Sequence, residues 1–296
     1  LAFNCGNLAG AGLGLNVLTG WDVKIGAAIS GIITILIFIN KESLKWMDLF
    51  AKILGIVMII LTLYVVIALN PPYAVALHDS LFPQKVDFMA IITLVGGTVG
   101  GYISFAGAHR LIDAGKTGNE NIRSVSTSAV SAILLASTMR VLLFLAALGV
   151  VAKGISLNLI NPAADVFQQA AGMIGYKIFG IVMWSAAITS VVGSAYTSVS
   201  FLKSMHPLLS KKESFILTIF VLISLMVFII IGQPVKILVT VGALNGLILP
   251  IALLLIIIGS SNQKIIGSYR HPIGLKVFGW MVVAATVFLS VKSFLK

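Results

Sequence analysis

Residues 88–107 read FMAIITLVGGTVGGYISFAG, an apolar stretch with two glycine doublets near its centre. As a helix, this stretch is long enough to cross the hydrocarbon core of a bilayer, about 30 Å. A glycine weakens a helix by about 1 kcal/mol relative to alanine, and the stretch contains five, namely Gly96, Gly97, Gly100, Gly101 and Gly107. Backbone groups freed inside a bilayer need partners, so a break is tolerated only where it faces protein or a water-filled cavity. A glycine-rich seam for close helix packing is the alternative. The sequence favours a broken membrane helix, with its break between residues 96 and 107.

The composition of the whole chain agrees with a membrane location. Of its 296 residues, 59% are hydrophobic and 10% are charged, and the mean hydropathy is +1.09. A soluble domain carries about 25% charged residues, so the chain is not a soluble enzyme, a nucleic-acid-binding protein or a disordered segment. We predict an all-α polytopic membrane protein that forms a single transmembrane domain over residues 1–296. About nine spans of roughly 20 residues are expected, at 1–18, 23–39, 44–69, 88–112, 124–152, 174–202, 215–232, 235–259 and 273–295.

Basic residues indicate how these spans are oriented. The net charge is +11, and Lys and Arg are concentrated in the loops after the second, fourth, sixth and eighth spans. By the positive-inside rule these loops face the cytoplasm, so that the first span runs outward and the C-terminus lies outside. We therefore expect a multi-pass protein of the plasma membrane, present as a monomer. The chain begins inside an apolar segment at Leu1, and we interpret it as a fragment that lacks an N-terminal part.

Polar side chains within the predicted spans are candidates for a transport pathway. Asn4 and Asn7 lie in the first span. Ser190, Ser194 and Thr197 share one face of the sixth span at helical spacing. Instead of lining a pathway, the asparagines could form hydrogen bonds between helices. The hydroxyls could instead bond to carbonyls of the preceding turn of their own helix. The sequence leaves both interpretations open.

Two further polar side chains, Arg140 and Asn245, lie deep in predicted spans. A charge within the bilayer indicates a function by default, and the alternative for Arg140 is a side chain that extends to the interface. Asn245 lies near a possible kink at Pro250. The first span also has a small residue at every fourth position, which predicts a stripe for close helix packing. The stripe consists of Ala2, Gly6, Gly10 and Gly14.

Three segments of the chain resemble the Nramp family of divalent metal transporters. Residues 10–18, GAGLGLNVL, are similar to the family's G-x-A-x-G-L-N-L-L segment. Residues 97–99 are similar to the G-A-T-V that precedes its M-P-H-N, and residues 249–250 to the L-P of its tenth span. The resemblance covers essentially the whole chain, which corresponds to the family's third to eleventh spans. It implies a LeuT-like fold of inverted repeats, in which two broken helices meet at a midplane site.

The chain departs from this family at the positions that bind metal and carry protons. The family's metal-binding Met, its Pro and its His correspond to Gly100, Gly101 and Tyr102. Two acids of the family's proton route correspond to Asn4 and Asn7. The pattern is similar to the divergent branch that includes the Nramp-related magnesium transporters. The D-P-G-N motif of the family's first span would precede the present chain.

The resemblance implies a secondary transporter that imports a divalent cation, Mg²⁺ or Mn²⁺, by alternating access with little or no coupled proton flux. The sequence has no phosphate-binding loop or zinc-protease motif, so we expect neither an enzyme nor a bound cofactor. The expected partners are the lipid bilayer and the ion itself. Two alternatives stay open, namely a transporter of an amino or hydroxy acid on the same scaffold, and a membrane-embedded enzyme or scaffold subunit. The expected binding residues are Thr98, Val99, Gly100, Gly101, Tyr102 and Asn245.

Overall fold

The computed structural model describes residues 1–39, 43–100, 102–203, 212–267 and 269–295. Throughout these ranges the regular structure is helical, without a strand, so the predicted all-α class is confirmed. The helices are α1 Ala2–Thr19, α2 Val23–Ile39, α3 Ser43–Leu69, α4 Tyr73–Leu81, α5 Phe88–Val99, α6 Tyr102–Ala106, α7 Ala108–Asp113, α8 Ile122–Ala152, α9 Pro162–Lys203, α10 Glu213–Ile231, α11 Pro234–Gly259, α12 Gln263–Ile266 and α13 Ile273–Phe294.

Six of the described helices are long and apolar enough to cross a membrane by themselves, namely α3, α8, α9, α10, α11 and α13. The pair α1 and α2 meets the same test only together; the chain turns through 112° between them, and α2 packs back against α1. The described part of the chain is therefore multi-pass, with six or seven spans by this test. The sequence predicts about nine. The difference lies in α1, in α2 and in the fourth predicted span, which is divided into α5, α6 and α7.

Helix α1 contacts α2, α9, α10 and α11 and is central to the bundle. Its small residues allow this close approach, as the sequence predicts. A β-carbon at Gly14 would lie 2.6 Å from the backbone nitrogen of Trp184 in α9, and one at Gly10 would lie 3.5 Å from the Ala187 side chain. Gly6 faces α11 instead, where a β-carbon would be 3.6 Å from the side chain of Val241. The packing stripe thus joins α1 to two helices.

Glycines also bring α5 and α11 into backbone contact. A β-carbon at Gly96 would overlap the carbonyl oxygen of Gly242, and one at Gly246 would overlap the carbonyl oxygen of Ile92. Helix α13 packs against both helices and completes this side of the bundle. The contact matters for function because it holds the segment of α5 that directly precedes the break.

Two helices differ from the predicted boundaries. Helix α9 begins at Pro162, before the predicted sixth span, and the non-helical backbone of Gly172 (φ 62°, ψ −157°) separates this first part from the rest. The segment between residues 70 and 87, predicted as a loop, contains the nine-residue helix α4 directly after Pro72. Proline lacks the N–H that a first helical turn leaves unbonded, so a helix can start beside it.

Candidate functional site

The break in the fourth predicted span lies at Gly100. Helix α5 ends with Val99, and Gly100 adopts the left-handed conformation (φ 75°, ψ 17°), with its N–H donating to the carbonyl oxygen of Gly96 at 3.0 Å. Glycine takes this conformation without the steric penalty of a β-carbon, and it commonly ends helices in this way. Helix α6 starts at Tyr102. The predicted broken helix is therefore confirmed.

The break is shorter than the sequence predicts. Gly96 and Gly97 are both helical, and the close contact with α11 leaves no space for a side chain at Gly96. Gly107 keeps right-handed backbone angles (φ −57°, ψ −19°) between α6 and α7. For Gly96 and Gly97 the predicted unwinding is wrong, because both lie within α5, whereas Gly107 lies at a second interruption, between α6 and α7. Gly101 and the side chain of Tyr102, both predicted to bind cargo, lie outside the described residues.

Arg140 of α8 contacts the end of α5. Its Nη2 atom donates a hydrogen bond of 2.8 Å to the carbonyl oxygen of Thr98. Carbonyl groups in the last turn of a helix lack partners within it, so this oxygen is available as an acceptor. At 1.5 Å per residue, Arg140 is about 27 Å from the start of α8 and about 18 Å from its end, deep within the span. Two of the predicted site residues, Arg140 and Thr98, are thus in direct contact.

The polar residues of α1 and α9 form a small hydrogen-bond network. The Ser194 hydroxyl donates to Oδ1 of Asn4 at 2.9 Å, and Nδ2 of Asn7 donates to the same hydroxyl at 3.3 Å. Asn4 and Asn245 are buried, with 1% and 5% of their surfaces exposed. Within the described ranges, three buried side-chain nitrogens have no hydrogen-bond partner, those of Asn4, Asn161 and Asn245. Since buried amides are normally paired, those of Asn4 and Asn245, which lie inside the bundle, indicate places where a polar ligand or water binds.

Asn4 and Asn245 lie at a similar depth in the bundle. Gly6 of α1 faces Val241 of α11, and in the topology predicted from the basic residues these two spans cross in opposite directions. Relative to this contact, both asparagines are displaced toward the predicted cytoplasmic side. The displacement from the contact is about 6 Å or less along each helix axis. Asn245 also adjoins Gly246, which touches α5. Gly246 touches Ile92, eight residues before Gly100, so Asn245 lies about 12 Å along α5 from the break.

A cavity of about 600 Å³ opens between α1, α6, α7 and α9. Ser190, Ser194 and Thr197, which the sequence places on one face of their span, all line it. Its wall also contains Arg110 and Lys116, and its described lining includes no carboxylate. The cavity therefore has a wall that is positively charged and rich in hydroxyl groups.

Two contacts join α7 to α9 beside this cavity. The Arg110 guanidinium lies 5.5 Å from the centre of the Tyr196 ring, and the Ser200 hydroxyl donates to the Asp113 carboxylate at 2.6 Å. The Thr197 hydroxyl also donates to a carbonyl of its own helix at 2.8 Å, the backbone role that the sequence leaves open. The cavity wall is thus held by contacts between side chains of two helices.

Groups of three or more His, Cys, Asp or Glu side chains that could hold a metal ion do not occur in the described part of the chain. The candidate oxygen ligands are backbone carbonyls near the break and side-chain amides inside the bundle instead. Of the carbonyls, that of Thr98 bonds to Arg140 and that of Gly100 accepts an N–H from α6. The Asn4 oxygen accepts from Ser194, so the amide of Asn245 is the stronger candidate.

The whole chain, residues 1–296, matches the family model described as natural resistance-associated macrophage protein-like, or Nramp. The chain belongs to the Nramp family. It is 53% identical over 293 residues to an uncharacterized membrane protein of Haemophilus influenzae, in a match that covers 99% of this chain and 74% of that protein. It is 55% identical over 283 residues to the uncharacterized membrane protein YcsG of Bacillus subtilis, in a match that covers 96% of this chain and 70% of that protein.

Membership of the Nramp family confirms the resemblance that the sequence motifs indicate. The family consists of transporters, so membership suggests transport of a divalent metal rather than catalysis. The helical, multi-pass architecture of the described residues agrees with this class.

Proposed function

We propose that this Nramp-family chain is a secondary transporter that imports a divalent cation, Mg²⁺ or Mn²⁺, across the plasma membrane by alternating access, and that it works as a monomer. The observation that carries the proposal is the interruption of α5 at Gly100, in a bundle where α6 and Ser194, the hydrogen-bond partner of the buried Asn4, line one cavity. Secondary transporters bind their cargo at discontinuous helices near the midplane.

The polar groups inside the bundle suit a hard cation. Amide and carbonyl oxygens are ligands for Mg²⁺ and Mn²⁺, whereas a thioether favours softer, later transition metals. Gly100 stands at the position of the family's metal-binding Met, so the soft ligand is missing here. The two ends of an amide are assigned from their hydrogen bonds, so a half-turn of the Asn245 amide would offer its oxygen to the ion. Mg²⁺ keeps several of its waters, which the hydroxyls of the cavity can bind.

The polar residues of α1 argue against coupling of transport to a proton. Asn4 and Asn7 stand at the positions of the family's two acids, and an amide has no proton to release near neutral pH. The carboxylate of Asp113 lies at the end of α7, beyond the break, where Ser200 donates to it. We therefore propose that the ion gradient and the membrane potential drive import.

A small organic carboxylate, such as an amino or hydroxy acid, is a second candidate cargo. The cavity favours it, because Arg110 and Lys116 supply positive charge and Ser190 and Thr197 supply hydroxyl groups. A divalent cation within about 6 Å of one guanidinium would be repelled by about 5 kcal/mol at an effective dielectric constant of about 20. A carboxylate would be attracted by the same charge.

Uptake by proteoliposomes that contain the purified protein distinguishes the two candidates. The vesicles receive Mg²⁺, Mn²⁺, Ca²⁺ and Cd²⁺ in one series and amino and hydroxy acids in another, with protein-free vesicles as the control. The first candidate requires saturable uptake of Mg²⁺ or Mn²⁺ with weak discrimination against Ca²⁺.

Carboxylate uptake in place of cation uptake would support the second candidate. Strong competition by micromolar Cd²⁺ without any effect of millimolar Mg²⁺ would contradict the argument from hard ligands. If neither series shows uptake above the protein-free vesicles, both candidates are wrong.

A further inference from the structure

The end of α5 carries negative partial charge within the membrane. The aligned peptide dipoles of a helix place about half a negative charge at its C-terminus. In α5 this end lies at Gly100, in the middle of a predicted span and not in a loop. Because the helix ends so soon after Thr98, the carbonyl of Thr98 lies beyond the regular helical bonds and needs a donor or a cation.

Arg140 supplies both the donor and the charge. Its guanidinium donates to the Thr98 carbonyl at 2.8 Å. Arg140 itself forms no ion pair with any carboxylate of the described residues. The end of α5 is therefore the negative partner that the fold provides for this side chain.

We propose that Arg140 is a tethered cation that takes the place of a mobile coupling ion at the broken helix. In secondary transporters, half-helix C-termini and unwound carbonyls coordinate Na⁺ or protons. Here the guanidinium is covalently attached and holds the Thr98 carbonyl permanently, so α5 keeps its position without a bound monovalent cation. Arg140 acts through α5 and is a positioning residue. The inference concerns the driving ion and applies to either candidate cargo.

Ion replacement in proteoliposomes tests this role. Uptake by the wild-type protein should not change when choline replaces Na⁺ at constant ionic strength. In choline, the rate of uptake by Arg140→Ala should be lower than that of the wild type by about tenfold or more. This factor corresponds to the free energy of one hydrogen bond to a charged group. Millimolar guanidinium or Na⁺ should restore uptake, because either ion can occupy the vacated helix end. Arg140→Lys keeps a donor and a charge and should resemble the wild type.

Arg123→Ala is the matched control, because Arg123 lies in the first turn of the same helix. This variant should alter neither the rate of uptake nor its dependence on monovalent cations. Three results would overturn the inference: wild-type uptake that requires Na⁺, undiminished uptake by Arg140→Ala in choline, or a defect of Arg140→Ala that no monovalent cation restores.

A second measurement does not depend on transport, so it is decisive even if neither candidate cargo is carried. Hydrogen exchange of the backbone amides around Gly100 should be faster in Arg140→Ala than in the wild type and should slow when guanidinium is added. If the alanine variant does not fold, Arg140→Gln, which keeps an amide donor without the charge, should show the same guanidinium-dependent protection. Exchange that is unaffected by guanidinium in the folded variant would contradict the proposed role.

Discussion

The hydroxyl oxygen of Ser194 in α9 lies 2.9 Å from Oδ1 of Asn4 in α1. Ser194 lines the cavity, whereas Asn4 is almost completely buried. The hydroxyl also accepts a hydrogen bond from Asn7. Ser194 therefore connects the cavity wall to the buried amide of Asn4, and its removal would affect both.

Ser194→Ala should destabilise the folded protein. The substitution removes the donor to Asn4 and leaves both ends of that buried amide without a partner, at a cost of about 1 kcal/mol for a hydrogen bond between membrane helices. The measurement is the apparent Tm in detergent. Ser190→Ala, one turn earlier on the same cavity face, is the control and should leave the Tm nearly unchanged. Equal losses in the two variants would show that the bond to Asn4 contributes nothing specific.

Gly96 and Gly97 should respond very differently to alanine. A β-carbon at Gly96 overlaps the backbone of α11, whereas one at Gly97 lies 4.0 Å from the nearest atom, the Cα of Gly242. Gly96→Ala should therefore destabilise the protein by at least the cost of overpacking, about 1–3 kcal/mol. Gly97→Ala should be neutral or slightly stabilising, because alanine loses less backbone entropy on folding. The apparent Tm in detergent checks this, and similar values for the pair would contradict it.

Gly100→Leu should abolish uptake while the protein still inserts into the membrane. The positive φ of 75° at this position is strained for any residue with a β-carbon, by about 1–2 kcal/mol. A leucine would also add bulk at the break, where the cargo is proposed to bind. Gly55→Leu is the control, because a β-carbon there meets no atom within 4 Å. Full uptake by Gly100→Leu would refute a site at the break.

The long membrane-spanning helices could be predicted because hydropathy and length identify helices that cross a bilayer. The predicted spans 215–232 and 235–259 differ from α10 and α11 by no more than two residues at either end. Gly232 ends α10 in the left-handed conformation and Pro234 starts α11, and both residue types mark such boundaries in a sequence.

The site was less predictable because glycine has two roles in membrane helices. The glycines of 96–107 predict a long unwound segment, but Gly96 serves the contact with α11, and the left-handed turn lies at Gly100. Spacing along one helix does not reveal which helix packs against it. The sequence does not indicate that Arg110 lines the cavity, for a similar reason. A basic residue at the end of a span satisfies the positive-inside pattern, and only the fold brings it beside the hydroxyls of α9.

Arg110→Gln should change uptake in a direction that depends on the charge of the cargo. Removal of this guanidinium makes the cavity less positive, so the KM for Mg²⁺ or Mn²⁺ should fall and the KM for a carboxylate should rise, each severalfold. Concentration series in proteoliposomes measure both values. Arg123→Gln, at the start of α8, is the control and should change neither. An unaltered KM for every transported solute would place the cavity outside the transport pathway.

Transport should proceed with little coupled proton flux, because the resemblance to the Nramp family puts Asn4 and Asn7 at the positions of two acids, and an amide has no proton to release. The measurement records cargo uptake and internal pH together in proteoliposomes, with the membrane potential clamped. We expect uptake without matching acidification. Acidification that follows uptake under the clamp would refute the prediction.

Restoring the acid tests the same argument from the opposite direction. Carboxylates buried in the membrane are the usual proton carriers of transporters, so Asn4→Asp should make uptake depend on pH and acidify the vesicle interior. Asn161→Asp is the matched control, because Asn161 is also buried but accepts from the Ala164 N–H at the start of α9. An aspartate can cap a helix as well as an asparagine, so this control should fold and transport like the wild type. If Asn4→Asp transports without pH dependence, Asn4 does not lie on a proton route, and the lack of coupling must have another cause.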